Sequence, residues 1–163
     1  MIGLLFAAAL QASSTASPPT ASPQTASPQT ASSQPGGQSG SAAPMLGPIG
    51  KQVMPAKGCA AFLWGTTDRT LVAMAGAETG RIRVAIDGKP IDYLRANESG
   101  AGGFGFAGVT TYRGGDLTIA LDMTIVSRDD LASGAMIPAA TLRIDRPGRD
   151  TVILPVAGMV GCT

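Results

Sequence analysis

Histidine is absent from all 163 residues. That excludes Ser-His-Asp and Cys-His catalysis, His-ligated zinc or iron, and any imidazole switch near neutral pH. Charge is absent from the amino-terminal part: no Asp, Glu, Lys or Arg precedes Lys51. A globular surface needs charge, so a single folded domain is expected over residues 51–163, an ordinary size for one domain. Large apolar side chains are absent from residues 13–44, which hold no Val, Ile, Leu, Met, Phe, Trp or Tyr. Such a tract cannot bury enough surface to offset the entropy of ordering, and disorder is expected there. Excess charge is absent overall. A net charge of +1 provides no basic footprint for nucleic acid and no polybasic patch for anionic lipid.

What the amino terminus does have is an apolar run, Ile2 to Leu10, followed by the small residues Ala12 to Ala16. This is the pattern of a secretory signal peptide over residues 1–16, although the usual positive residue before the run is missing. Nine apolar residues are too few to span a bilayer, which needs about 20 in helix. Cys59 follows Ala56-Lys57-Gly58 far downstream, which is no lipid-attachment context. A linker follows over 17–50. In it the pentad Thr20-Ala21-Ser22-Pro23-Gln24 recurs as Thr25-Ala26-Ser27-Pro28-Gln29. Regular Pro favours extended polyproline II, and the Gly/Ser run 36–41 loosens the chain after it.

From Cys59 onward the apolar period is 2. Leu117, Ile119, Leu121, Met123 and Ile125 alternate with a mostly polar set, as a half-buried strand does. Ile82, Val84 and Ile86 alternate likewise, and Asp87-Gly88 then predicts a tight hairpin into Ile91–Leu94. Pro90 cannot donate to a ladder, so the returning strand is expected to lie at an edge there. A second hairpin is expected around Arg146-Pro147-Gly148-Arg149. Val152-Ile153-Leu154 after it is apolar on both faces and reads as a well-buried strand. Further strands are expected at 60–64, 70–75 and 104–112, and one helical turn between Ser127 and Gly134. The fold expected is all-β: a small antiparallel β-sandwich, with a small closed β-barrel as the alternative.

The two cysteines, Cys59 and Cys162, open the first apolar run and close the last. An even count in an exported chain predicts a disulfide that is structural, since no Cys-x-x-Cys spacing exists.

Gly103-Phe104-Gly105-Phe106-Ala107-Gly108 matches G-x-G-x-x-G in form. A dinucleotide site needs that turn to open a helix, whereas Val109-Thr110-Thr111-Tyr112 reads as strand. Phe104 and Phe106 are expected in the core, the alternative being an apolar lip that contacts a partner. Arg81 and Arg83 share a face that Arg95 could join, either as a solvated surface or as an anion site. Asp87, Asp92, Asp122, Asp129 and Asp130 show no calcium-loop spacing. No catalytic, cofactor or metal residues are identified.

The function expected is a non-catalytic binding or interaction module of the bacterial cell envelope, periplasmic or secreted, whose partner is a protein or another envelope component. The alternative is a small inhibitor of a hydrolase, using a loop within 95–105 or 133–138. An enzyme working through carboxylates ranks last. No nucleic-acid partner and no transmembrane segment after signal removal are expected.

Overall fold

The computed structural model describes residues 46–163. The signal segment, and the expected linker as far as residue 45, lie outside the described residues. Nine strands follow in order: β1 (Leu46–Gly47), β2 (Cys59–Gly65), β3 (Leu71–Gly76), β4 (Arg81–Ile86), β5 (Lys89–Ser99), β6 (Val109–Gly114), β7 (Leu117–Ser127), β8 (Gly134–Asp145) and β9 (Val152–Cys162). Among the described residues no helix is long and apolar enough to cross a membrane.

Every strand from β2 to β9 pairs antiparallel with its neighbour in sequence, and β9 pairs back onto β2. The result is one eight-stranded, up-and-down barrel, the second of the two architectures expected. Alternation of apolar and polar residues looks the same in a sandwich and a barrel. The long-range pairing of first strand with last is what separates them. It removes both sheet edges, which a sandwich would leave open. Cys59 and Cys162 stand directly opposite one another in that pairing, and the disulfide joins them across the seam.

The inward face carries Ala61, Leu63, Ile82, Val84, Ile119, Leu121, Leu142 and Ile144, all fully buried. Small residues on some strands (Ala61, Ala73, Ala75, Ala135) face large ones on others, as filling a narrow tapered interior requires. Tyr112 is also inside, and burial pushes its phenol up to about 12.

Two devices stop the barrel ends. At the end that holds the disulfide, loop 100–108 folds over the opening. Gly103 and Phe106 exchange backbone hydrogen bonds of 3.0 and 2.9 Å, which turns the Phe106 ring inward. At the other end β1 pairs with the tip of β4, and the Ile49 amide donates to the Leu71 carbonyl at 2.9 Å. There the Tyr93 ring lies over Gly114, where a side chain would collide with it.

Several local expectations are confirmed and several are corrected. Asp87 and Gly88 both take positive φ, 50° and 78°, the two-residue turn that the dipeptide predicts. The barrel is closed as a whole, but at Pro90 it keeps a local edge, as expected. β6 pairs with β5 only from Leu94 onward, so the strand is locally one-sided at Pro90. The strand expected at 104–112 begins at Val109, because Phe104 and Gly105 take positive φ in the end-capping loop. Residues 128–133 form turns rather than a helical turn, since β7 runs through the expected cap, Ser127. Ile153 is 63% exposed, not buried: with a period of 2, only Val152 and Leu154 can face the core. The folded domain starts before Lys51, since Leu46 and Ile49 anchor an uncharged approach to the barrel.

Candidate functional site

Ion pairs occupy part of the outer wall of the barrel. Arg143 and Asp145 form an ion pair at 2.8 Å, and Arg83 grips Asp92 through two hydrogen bonds at 2.6 and 2.8 Å. Other exposed apolar residues stand singly, such as Leu94 and Ile153, but one row is continuous from strand to strand. Val126 on β7 faces Met136 on β8, Met136 faces Met159 on β9, Met159 faces Phe62 on β2, and Phe62 faces Met74 on β3. Five strands in succession thus present a large apolar side chain at one level of the wall. Trp64, two residues on from Phe62, extends the row, with ring centroids 6.5 Å apart. Met159 is 47% and Val126 43% exposed, while Phe62, Trp64, Met74 and Met136 are half-buried by their neighbours. Methionine is flexible and polarizable, and with aromatic side chains it is the composition of adaptable contact surfaces.

The row ends on β4, where Met74 faces Arg83. Beside that end the chain preceding β2 crosses the outside of the barrel as a strap. The strap is tied down at several points. Arg83 Nη1 donates to Gln52 Oε1 at 3.1 Å, Thr163 N donates to the Gly58 carbonyl at 3.1 Å, and Thr163 Oγ1 donates to the Pro55 carbonyl at 3.2 Å. The Met54 methyl fills the space where Gly161 lacks a side chain. Between strap and wall lies a trough of about 400 Å³. Met74 and Pro55 line it on the apolar side, above the buried Ala60, which stands opposite Gly76 across β2 and β3, and the Thr79 side chain covers Gly76. Lys57 on the strap, Arg81 and Glu78 line it as well.

The charges around this trough divide into satisfied and unsatisfied ones. Arg83 is committed to Asp92 and Gln52, and its hydrogen bond holds the Asp92 carboxyl below the usual carboxylate range. Arg81 adds to that downward push through space but makes no ion pair among the described residues. Lys57 and Glu78 also make none. The Glu78 side chain lies against Gly58, whose φ of 84° and missing Cβ make room for it. Arg95, which could have joined the Arg81 face, turns away to Glu98 at 2.8 Å.

The other residues singled out from the sequence fall in different places. Phe106 is 7% exposed and in the core, and Phe104 is half-buried against it, so the glycine-rich segment is a plug for the barrel end. It opens no helix. Of the segments considered for an inhibitory loop, 134–138 belongs to β8 and 95–99 to β5. The carboxylates with displaced values, Asp68, Asp92 and Asp145, all move down through hydrogen bonds to Thr70, Arg83 and Arg143 respectively. A general acid requires the opposite shift.

Sequence reasoning missed the apolar row and the trough. Phe62 and Trp64 are visible as alternate positions of one strand, and the methionines as isolated large residues. Their assembly at one level depends on the registers of four strand pairings, which no local pattern encodes. No family model, curated protein or solved structure matches this chain.

Proposed function

We propose that this chain is an exported, non-catalytic binding module of the cell envelope, periplasmic or secreted, and that it engages a protein partner through the methionine-aromatic wall of its barrel. The observation that carries this reading is the row Val126–Met136–Met159–Phe62–Met74, with Trp64 beside it. Exposed apolar side chains scattered singly need no explanation, whereas a contiguous set does. The row covers four of the eight inter-strand steps of the ring, about half of its circumference. A second copy of the same convex barrel could touch only a narrow strip of such a curved band. A concave apolar surface on a different protein covers it fully. Export is supported by the apolar amino-terminal run and by the Cys59–Cys162 disulfide, which persists in oxidising compartments.

The test is site-specific photo-crosslinking in the cell that makes the protein. A benzophenone side chain replaces Met159 in one version and Arg143, outside the row, in another. A heterologous adduct at 159 and not at 143 is expected. Phe62→Ala should then weaken binding of the purified partner by about 30-fold, the scale of an aromatic anchor. An adduct only to another copy of this chain, or equal labelling at both positions, overturns the proposal.

A further inference from the structure

We infer that the trough between the strap and the β2–β4 wall is a binding site for a small amphipathic organic anion, with its head on Lys57 and Arg81 and its apolar body along Pro55 and Met74. This site does not depend on what the methionine wall binds.

Four observations converge on it. The volume of about 400 Å³ falls within the range of small-molecule pockets. The cavity is built rather than incidental. The Thr79 side chain sits over Gly76 on one side, and the strap that roofs the trough is held at Gln52, Met54, Pro55 and Gly58. The floor is apolar, so a hydrocarbon body would leave water for it.

The fourth observation is electrostatic. Arg83 and Asp92 neutralise one another. Lys57 and Arg81 remain, opposed by Glu78 alone, so the lining carries one uncompensated positive charge. The planar fork of Arg81 suits a carboxylate, and the mobile ammonium of Lys57 can close on the same group from the strap. Glu78 is set against Gly58 at the strap and disfavours an anion placed there. The preceding tract cannot supply the occupant, because residues 1–50 contain no acidic side chain.

The experiment is an amide NMR titration of the full chain at low ionic strength with three probes of one length: hexanoate, hexanol and hexylammonium. Hexanoate should bind saturably, with a Kd on the order of a millimolar for so few atoms. The shifts should centre on Lys57, Ala60, Gly76 and Arg81. Hexanol should bind about tenfold more weakly, and hexylammonium should give no saturable shift there. The double variant K57E/R81E should lose hexanoate binding by tenfold or more, while K57R/R81K retains it. Both positions are exposed, and an unchanged amide spectrum away from the strap establishes that the variants are folded. Ala60→Leu, which fills the floor, should abolish binding of hexanoate and hexanol alike. Equal binding of hexylammonium and hexanoate overturns the inference. So does hexanoate binding that survives K57E/R81E, or shifts that centre on another part of the barrel.

Discussion

Removing the Cys59–Cys162 bond perturbs this fold where its topology is most expensive to form. The two residues are 103 positions apart, and the bond lies on the seam that turns an open meander into a ring. In the chain-entropy treatment, a cross-link closing a loop of about 100 residues restricts the unfolded chain by about 4.7 kcal/mol. Measured losses more often fall near 2–4 kcal/mol, because unfolded chains keep residual structure. A domain of this size has about 5–15 kcal/mol in all. Reduction should therefore lower Tm by on the order of 15 °C, at about 4 °C per kcal/mol. The seam has its own hydrogen bonds, pairing Cys59 to Gly65 with Cys162 to Val156, so the reduced protein should still fold. The assay is thermal and urea unfolding of the full chain, oxidised, reduced, and as the double Cys→Ala variant. Stopped-flow refolding adds the mechanism. Pairing β2 with β9 is the longest-range strand pairing among the described residues, and the cross-link supplies its closure in advance. Most of the loss should then appear as slower folding. A Tm change under 3 °C would refute the magnitude. A loss confined to the unfolding rate would refute the entropic origin and move the effect into native packing.

Three further outcomes follow from the packing. A Cβ on Gly158 would collide with the Phe62 carbonyl oxygen across the same seam, so Gly158→Ala should cost about 3 kcal/mol or more in urea unfolding. Its equivalence to wild type would show that the β2–β9 register is wrong. Tyr112 ionises near pH 10 when unfolded but only near about 12 when buried, so the folded state binds the extra proton. Stability from this group is present below pH 10 and falls as pH rises from about 10 to 12. Tyr112→Phe should flatten that alkaline decline in Tm, and a decline of unchanged slope would assign it to other groups. Asp92 has a lowered value, so its stabilisation is present at neutral pH and fades as pH falls below the ordinary carboxylate range. The pair with Arg83 is well exposed, and Asp92→Asn should cost less than about 1 kcal/mol at pH 7. A loss above 2 kcal/mol would mean that the pair also anchors the strap through Gln52.

Local chemistry determined more of this molecule than its modest core suggests. The period of 2 in Leu117–Ile125 placed Leu117, Ile119, Leu121 and Met123 in the core, and Asp87-Gly88 specified its own turn. An even cysteine count, in a chain whose amino terminus reads as a signal peptide, pointed to the disulfide. Each follows from neighbours within a few positions or from a composition rule. Tertiary structure decided what depends on partners far away in the chain. Whether the sheet closes is set by β2 meeting β9, and no residue of either strand states its partner. The same holds for Pro90, whose one-sided pairing arises from where β6 ends, and for Ile153, whose outward face follows from its phase relative to Val152. The functional surface is the clearest case. Phe62, Met74, Met136 and Met159 belong to four strands, and Lys57 and Arg81 belong to a strap and a fifth. Only barrel closure and exact-residue register bring them to one wall, because a shift of one residue in any pairing would turn a side chain from the outside to the core.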